Sequence, residues 1–422
     1  MSRFQSPKGT QDILAPESAR WSELIGRFAV LARRFGFGLV VSPGFEDAEV
    51  FRRSSGDSSD VVTKEMYEFK DRGGRDIALR PEGTASVVRA FVQHSPVAPF
   101  KAWYAAPMFR YERPQAGRFR QHHQLGVEIL GTDDPMADVE VISLLAALYA
   151  DLGLTSLRLR VNSLGDKTCA PGYRETLAGY LGSHASELCD EHRYKWSVNP
   201  LRILDCKRAE CRRLSEGAPK LREFLCDDCR SHFAAVLASL DRLAIAYEQD
   251  DCLVRGLDYY TRTTFEYGSQ TLEGVGGGGR YDGLVAALGG PEVSGVGFGA
   301  GIERILLACD AEGRLTSDDL KLSRALDVFV VDSGAEASAL EIMSELRSAG
   351  LAVDRAFDGR STKAQLKVAD RSGARVACIV GADDLASGLV TIRVLRGSDA
   401  HLQEKVSRDG LAARLGQITR SP

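Results

Sequence analysis

Residues 108–131 read MFRYERPQAGRFRQHHQLGVEILG. Two strand-like segments, 103–111 and 125–130, are joined by a loop that carries Arg110, Arg113, Arg118 and Arg120 against a single carboxylate, Glu112. Segments so close in sequence pair as a hairpin, and because side chains of a strand alternate between faces, Arg110 and Glu112 share one of them. The loop is then anchored to a rigid sheet. Guanidinium groups grip phosphate oxygens in a planar fork and stay charged at any working pH, so an arginine cluster placed this way suits a nucleoside triphosphate. A basic loop alone would be read more simply as a solvated, charged hairpin. The rest of the chain decides between the two.

A chain of 422 residues, 44% hydrophobic and 27% charged, has room for two to three domains with substantial cores. No apolar run approaches the roughly 18 residues of a membrane span. The opening MSRFQSPKGT lacks an apolar stretch of the signal-peptide kind, so the expected location is the cytoplasm. Nine cysteines, an odd number, fit a reducing compartment better than a disulfide framework. With a net charge of only −4, the molecule as a whole does not attract nucleic acid, and any such contact must come from local patches.

Trp21, Leu24, Ile25, Phe28, Leu31 and Phe35 recur at helical spacing and Gly36 follows as a stop, which predicts a helix over 17–35. A strand over 39–42 ends at Pro43. A helix over 137–151 follows the arginine hairpin, then an alternating strand over 157–162. From about 165 to 240 the pattern turns helical and charged, and strands resume at 253. The fold class expected is α+β: one antiparallel sheet with helices, a helical insertion at about 165–240, and a separate C-terminal α/β unit. That unit reads as strand 325–331, helices 335–349 and 362–372, strands 375–380 and 389–395, and helix 408–415, with a mostly parallel or mixed sheet. The corresponding domains are 1–325 and 326–422.

Five segments in series carry a resemblance: KGTQD (8–12), LRPEGT (79–84), the arginine hairpin, VRGLDYYTRTTFE (254–266) with GGGGRYDGL (276–284), and GVGFGAGIER (295–304). Together they resemble the histidyl-tRNA synthetase family of class II aminoacyl-tRNA synthetases. The resemblance implies ATP-dependent ligation of L-histidine to its tRNA through a histidyl-adenylate, with Mg2+ accompanying ATP. It also implies a homodimer whose interface is built around the first helix and strand, and a C-terminal domain that binds the anticodon stem. Activation requires a carboxylate to attack the α-phosphorus, so the protein must hold two anions together and absorb the charge that develops. In the matching positions Arg110 sits on the α-phosphate and the histidine carboxylate. Arg118 with Glu112 serves the distal phosphates, and Arg304 the adenine and the bent triphosphate. Histidine needs an acceptor for its ammonium, a cation for its carboxylate and a donor–acceptor pair for its ring. Glu82, Gly83, Thr84 and Gln124 match the ammonium side. Glu128 and Tyr260 match the ring, with Tyr259 and Tyr281 as walls, and Arg255 matches the electrostatic catalyst. The adenine-stacking position, commonly aromatic, is His122. Its neighbour His123 points to the opposite face, which argues against joint metal ligation. GVGFGAG offers close backbone approach but lacks the setting of a dinucleotide fingerprint. The glycine run 276–279, flanked by strand-like sequence, reads as a tight β connection beneath the substrate.

Cys206 and Cys211, with the CxxC of Cys226 and Cys229, have spacing compatible with one tetrahedral zinc site, and Cys189 lies upstream. Scattered free thiols in a reducing cell remain the alternative. Residues 191–230 hold ten Lys or Arg against seven Asp or Glu, a mildly basic patch suited to a tRNA acceptor stem or simply to a solvated surface. A rival of another class, a non-catalytic relative that regulates histidine biosynthesis or senses histidine, would typically lack the VRGLDYY segment or the C-terminal unit. Both are present.

Overall fold

The computed structural model describes residues 4–55, 59, 61–112, 117–316, 326–397 and 399–420. Arg113 and Gln115 of the hairpin loop, and the expected boundary at 325, lie outside them. The chain divides into two compact units, Met1–Leu315 and Thr316–Pro422.

The first unit begins with α1 (Glu17–Arg34), whose Trp21, Leu24, Phe28 and Leu31 are buried within the chain's own core. There follow β1 (Gly38–Leu39), β2 (Phe45–Asp47), α2 (Ala48–Ser55), β3 (Tyr67–Lys70), β4 (Asp76–Leu79), α3 (Thr84–His94), β5 (Phe100–Phe109), β6 (Gln121–Leu130), α4 (Pro135–Asp151) and β7 (Arg158–Ser163). The insertion supplies α5 (Ala170–Ser183), α6 (Leu201–Leu204), α7 (Ala209–Gly217) and α8 (Asp227–Arg242). The chain then returns through β8 (Tyr247–Gln249), β9 (Thr261–Gly268), β10 (Gly276–Tyr281), α9 (Leu284–Ala287), β11 (Gly295–Gly301) and α10 (Ile302–Ala311).

Strands β2, β4 and β3 form a small antiparallel sheet, and the other eight form one large sheet in the order β1-β5-β6-β11-β10-β9-β7-β8. The hairpin β5–β6 pairs from Phe100 opposite Leu130 to Phe109 opposite Gln121. The interior of the sheet is antiparallel, as expected. Both edges are not: β1 runs parallel to β5 and β8 parallel to β7. Parallel neighbours need long crossovers, and these exist, through the small sheet in one case and the insertion in the other.

Three local expectations are corrected. Of 39–42 only Leu39 belongs to a strand; Val40 still donates its N–H to the Trp103 carbonyl at 2.9 Å, and Val41 is then exposed. VRGLDYY is not a strand: Asp250 caps a turn by accepting the Cys252 N–H at 2.9 Å, and the ladder resumes only at Thr261, with Arg262 at φ 46°. The glycine run 276–279 is no connection but buried strand, laddered to β11 on one side and β9 on the other. A Cβ on Gly278 would stand well inside contact distance of the Gly297 carbonyl oxygen. Where two backbones pass this closely only glycine fits.

At the end of β10 lies Arg280, fully buried with Asp138 of α4. Besides pairing with that carboxylate, the Arg280 guanidinium donates to the carbonyls of Thr132 and Asp134, each at 2.9 Å. Every face of the cation is thereby satisfied inside the core.

The second unit contains β12 (Val328–Ser333), α11 (Glu336–Ser348), β13 (Val353–Arg355), α12 (Thr362–Arg371), β14 (Val376–Gly381), α13 (Ala382–Ala386), β15 (Leu389–Val394), β16 (Gln403–Ser407) and α14 (Leu411–Arg420). Its sheet, β13-β12-β14-β15-β16, is mixed: the first three strands are parallel and the last two antiparallel. Val328, Val330, Val376 and Cys378 face one core while Phe329, Val331 and Ala377 face another, so both faces are covered. Strands β13 and β16 were not anticipated, being short edge strands rich in charge.

Gly278→Ala should cost about 3 kcal/mol or more, because the new methyl meets the β11 backbone and β10 cannot move away from it while laddered to β9 on its other side. Urea unfolding of the variant checks this; a loss below about 0.5 kcal/mol would show that the strands can separate freely.

Candidate active site

The ends of β5 and β6 place the arginines. Arg110 donates through Nε to the Pro81 carbonyl at 2.8 Å, and its backbone N–H donates to Arg120 O. Glu112 lies between two guanidinium groups, 3.8 Å from Arg110 on one oxygen and 3.8 Å from Arg118 on the other. Arg120 lies 3.8 Å over the Tyr111 ring, and its backbone N–H donates to Gly9 of KGTQD at 2.8 Å. Arg304, in the first turn of α10, donates through Nε to the Gly274 carbonyl at 2.9 Å and also to Glu273 O. Burial and the neighbouring Arg118 hold its guanidinium below the usual arginine value. Cations crowded in this way lower one another's pKa and are relieved by an anion. Burial, with Arg110 and His123 adding to it, pushes the His122 imidazole down to about 3, so this ring is neutral at any working pH. His123 turns to the other face, edge-on to Trp21 at 4.8 Å, with Nδ1 3.2 Å from Glu303.

The segment LRPEGT enters α3. Glu82 accepts the N–H groups of Thr84 at 2.7 Å and Ala85 at 2.8 Å, capping that helix, and burial raises its pKa. The hydroxyl of Thr84 reaches Glu128 Oε1 at 2.7 Å, and Tyr281 donates to Glu128 Oε2. Tyr281 is therefore a hydrogen-bonding partner as well as a wall. Glu128 is fully buried, and burial pushes its carboxyl up to about 8 against the lowering effect of the two hydroxyls. Gly297 lies opposite it on β11, where any side chain would displace the carboxylate. Tyr259 stacks at 4.7 Å from Tyr260 and 5.6 Å from Tyr281. Gln124 lies against Gly299.

Arg255 sits on the loop before β9 and not, as expected, on a strand. It is held by an ion pair with Glu266, beneath it lies Gly277, and its Nε is buried without a hydrogen bond among the described residues. Glu266 also binds Arg160 at 2.7 Å, and Arg160 binds Asp250 at 3.0 Å. From the insertion, Arg202 of α6 donates to the Gly256 carbonyl at 2.5 Å and lies 3.8 Å from Asp258. A cleft of about 270 Å³ opens there, lined by Asn199, Arg202, Arg255, Asp258 and Tyr260 among others.

Sequence reasoning missed Glu266 and Tyr104. Tyr104, buried on β5, occupies the space that side chains at Gly83 and Gly126 would fill, so its ring completes the pocket under Thr84. Alternation along 103–111 puts Tyr104 on the same face as Arg110, but does not show what it meets there. The cysteine expectation is corrected. Cys206 and Cys211 gather with Cys189 and His192, while Cys226 and Cys229 gather with Asp166 and Cys169. Cys206 precedes α7 and Cys211 lies in its first turn, whereas Cys226 and Cys229 stand at the start of α8, beyond the turn Leu221–Glu223.

The mixed sheet, its arginine hairpin and the glycine-rich strand leading into Arg304 define a class II aminoacyl-tRNA synthetase catalytic unit. A family model for histidyl-tRNA synthetase matches residues 9–165 and 204–305, and one for an anticodon binding domain matches 326–418. The histidine--tRNA ligase of Rhodococcus erythropolis is 46% identical over 99% of this chain and 98% of its own, and that of Desulforudis audaxviator 46% identical over 98% and 99%. The crystal structure of apo S. aureus histidyl-tRNA synthetase superposes with a TM-score of 0.80 at 33% identity, covering 99% of this chain and 100% of that one. The chain belongs to the histidyl-tRNA synthetase family.

A carboxyl raised from the usual range to about 8 stabilises the ligand-free fold most fully below about pH 4, and loses that contribution as pH rises through 8. Glu128→Gln, which mimics the neutral acid, should gain stability relative to the parent between pH 5 and 8, as read by unfolding at each pH. Equal pH dependence in the two proteins would show that Glu128 is ionised throughout.

Proposed function

We infer that the chain ligates L-histidine to its tRNA in two steps. The carboxylate of histidine attacks the α-phosphorus of ATP, forming histidyl-adenylate as pyrophosphate leaves; the terminal ribose hydroxyl of tRNA then attacks the adenylate carbonyl and AMP leaves. The reading is carried by one observation: a buried, hydrogen-bonded acceptor for an azole ring, Glu128 with Thr84 and Tyr281, adjoins a set of fixed arginines.

In this reading Glu128 and Tyr260 take the two ring nitrogens, between Tyr259 and Tyr281. Glu82, Gly83, Thr84 and Gln124 hold the ammonium group. A polar pocket of this kind rejects side chains that leave its buried groups unpaired. Arg110 and Arg255 meet the reacting carboxylate and α-phosphate, stabilising charge where it develops. The buried Nε of Arg255 is available for an oxygen there. Glu112, Arg118 and Arg304 serve the rest of ATP, with the neutral His122 ring against adenine. Mg2+ comes with ATP, whose phosphates supply the oxygen ligands it prefers.

Residues 326–422 serve as the domain that binds the anticodon stem of the tRNA partner, and the mildly basic insertion suits contact with its acceptor stem. We place the protein in the cytoplasm; no helix among the described residues is long and apolar enough to cross a membrane. A homodimer is supported by Leu39, Val41 and Phe45, large apolar side chains left exposed just after α1.

Histidine-dependent pyrophosphate exchange into ATP, run beside the other nineteen amino acids, should occur with histidine alone. Its absence in folded protein at saturating ATP and magnesium would leave a histidine sensor as the better reading. Arg255→Ala should slow single-turnover adenylate formation on the order of 10²- to 10³-fold, roughly 3 to 4 kcal/mol, with little change in ATP binding. A rate within about threefold of the parent would make Arg255 a structural residue.

A further inference from the structure

We propose that the insertion holds two zinc ions, one bound by Cys189, His192, Cys206 and Cys211 and the other by Asp166, Cys169, Cys226 and Cys229. Six of the nine cysteines fall into these two groups, and within each the four donor atoms all lie within 4.8 Å of one another. Donors at zinc bond lengths of about 2.0 to 2.3 Å in a tetrahedron stand roughly 3.3 to 3.8 Å apart. The closest approaches match that spacing. Cys189 Sγ is 3.3 Å and Cys211 Sγ 3.7 Å from His192 Nδ1; Cys169 Sγ is 3.4 Å and Cys226 Sγ 3.8 Å from Asp166 oxygens.

Each group is assembled in the same way, from one turn whose ligands are three residues apart and a second pair from a distant segment. Cys189 and His192 share a turn in which the His192 N–H donates to Cys189 O at 3.0 Å. Asp166 and Cys169 share another, with Cys169 N donating to Asp166 Oδ1 at 3.2 Å. Cys226 is the N-cap of α8 and Cys229 lies in its first turn, where the helix dipole favours thiolate. Positive charge stands beside both groups: Lys195 and Arg208 near His192, and Arg262 at 3.8 Å from Asp166. Three thiolates with a nitrogen or a carboxylate oxygen in a closed tetrahedron are the donor set of structural zinc, and they are too soft for magnesium or calcium.

The position also calls for a fastener. Between α5 and α8 the chain has only short helical pieces, and its core there includes Cys169, Cys189, Cys211 and Cys229 themselves. A disulfide in either group would leave His192 or Asp166 out of the arrangement, so the donor sets fit metal better than oxidation.

The full chain, purified without chelator, should carry two zinc equivalents per chain by elemental analysis. Cys211→Ser and Cys229→Ser should each retain one, and the double variant none. Replacing zinc by cobalt in the unaltered chain should give the thiolate charge-transfer band and intense visible bands of tetrahedral cobalt, a readout that does not depend on any variant folding. Fewer than about 1.5 equivalents in the parent chain, zinc content indifferent to the two substitutions, or an octahedral cobalt spectrum would each overturn the two-site assignment.

Discussion

Arg280 and Asp138 form the contact on which the catalytic sheet depends. Both are fully buried, and a buried pair of this kind is expensive unless its remaining nitrogens find acceptors, as they do here in the Thr132 and Asp134 carbonyls. The pair ties the end of β10 to α4. One residue further on is Tyr281, whose hydroxyl donates to Glu128. A shift of Arg280 would thus move the hydrogen-bond partner of the buried Glu128 carboxyl, and a charge left alone in that core would cost about 3 to 5 kcal/mol. Four successive glycines precede Arg280 and contribute no side-chain packing, so the strand is anchored through its last two residues, Arg280 and Tyr281.

Much of the fold was legible because its signals are local. The α1 stripe, the alternating hairpin and the hydrophobic C-terminal strands each follow from spacing within a dozen residues. What escaped is set by distant partners. VRGLDYY is rich in strand formers, yet it has no neighbour to ladder with and becomes a loop braced by Glu266 and Arg202. The glycine run looks like a linker until strands on both sides are seen to need its bareness. β16, with the sequence QEKVS, is too charged and exposed to announce itself, and is a strand because β15 offers it an edge.

The site follows the same division. The resemblance singled out Glu128, the tyrosines and the arginines as candidates, but gave no sign that Thr84 and Tyr281 would bind the same carboxyl. Glu266 sits in a strand where alternation shows its face but not that it would be shared by Arg160 and Arg255. Cysteine spacing supplied candidate donors and misassigned their grouping: Cys206 with Cys211, and Cys226 with Cys229, are close in sequence, while each pair's remaining partners lie 14 to 60 positions away.

Glycines along β10 and β11 lie directly under functional groups: Gly277 beneath Arg255, Gly279 beside Tyr260, Gly297 against Glu128. The base of the cavity is therefore bare main chain, and a cavity based on main chain is already as deep as it can be. Substitution there can only fill it. Any widening to admit a larger ligand has to come from the surrounding side chains, with Tyr104, Tyr259 and Tyr281 the large rings among them, so the routes by which this pocket could change its ligand run through side chains and not through its base.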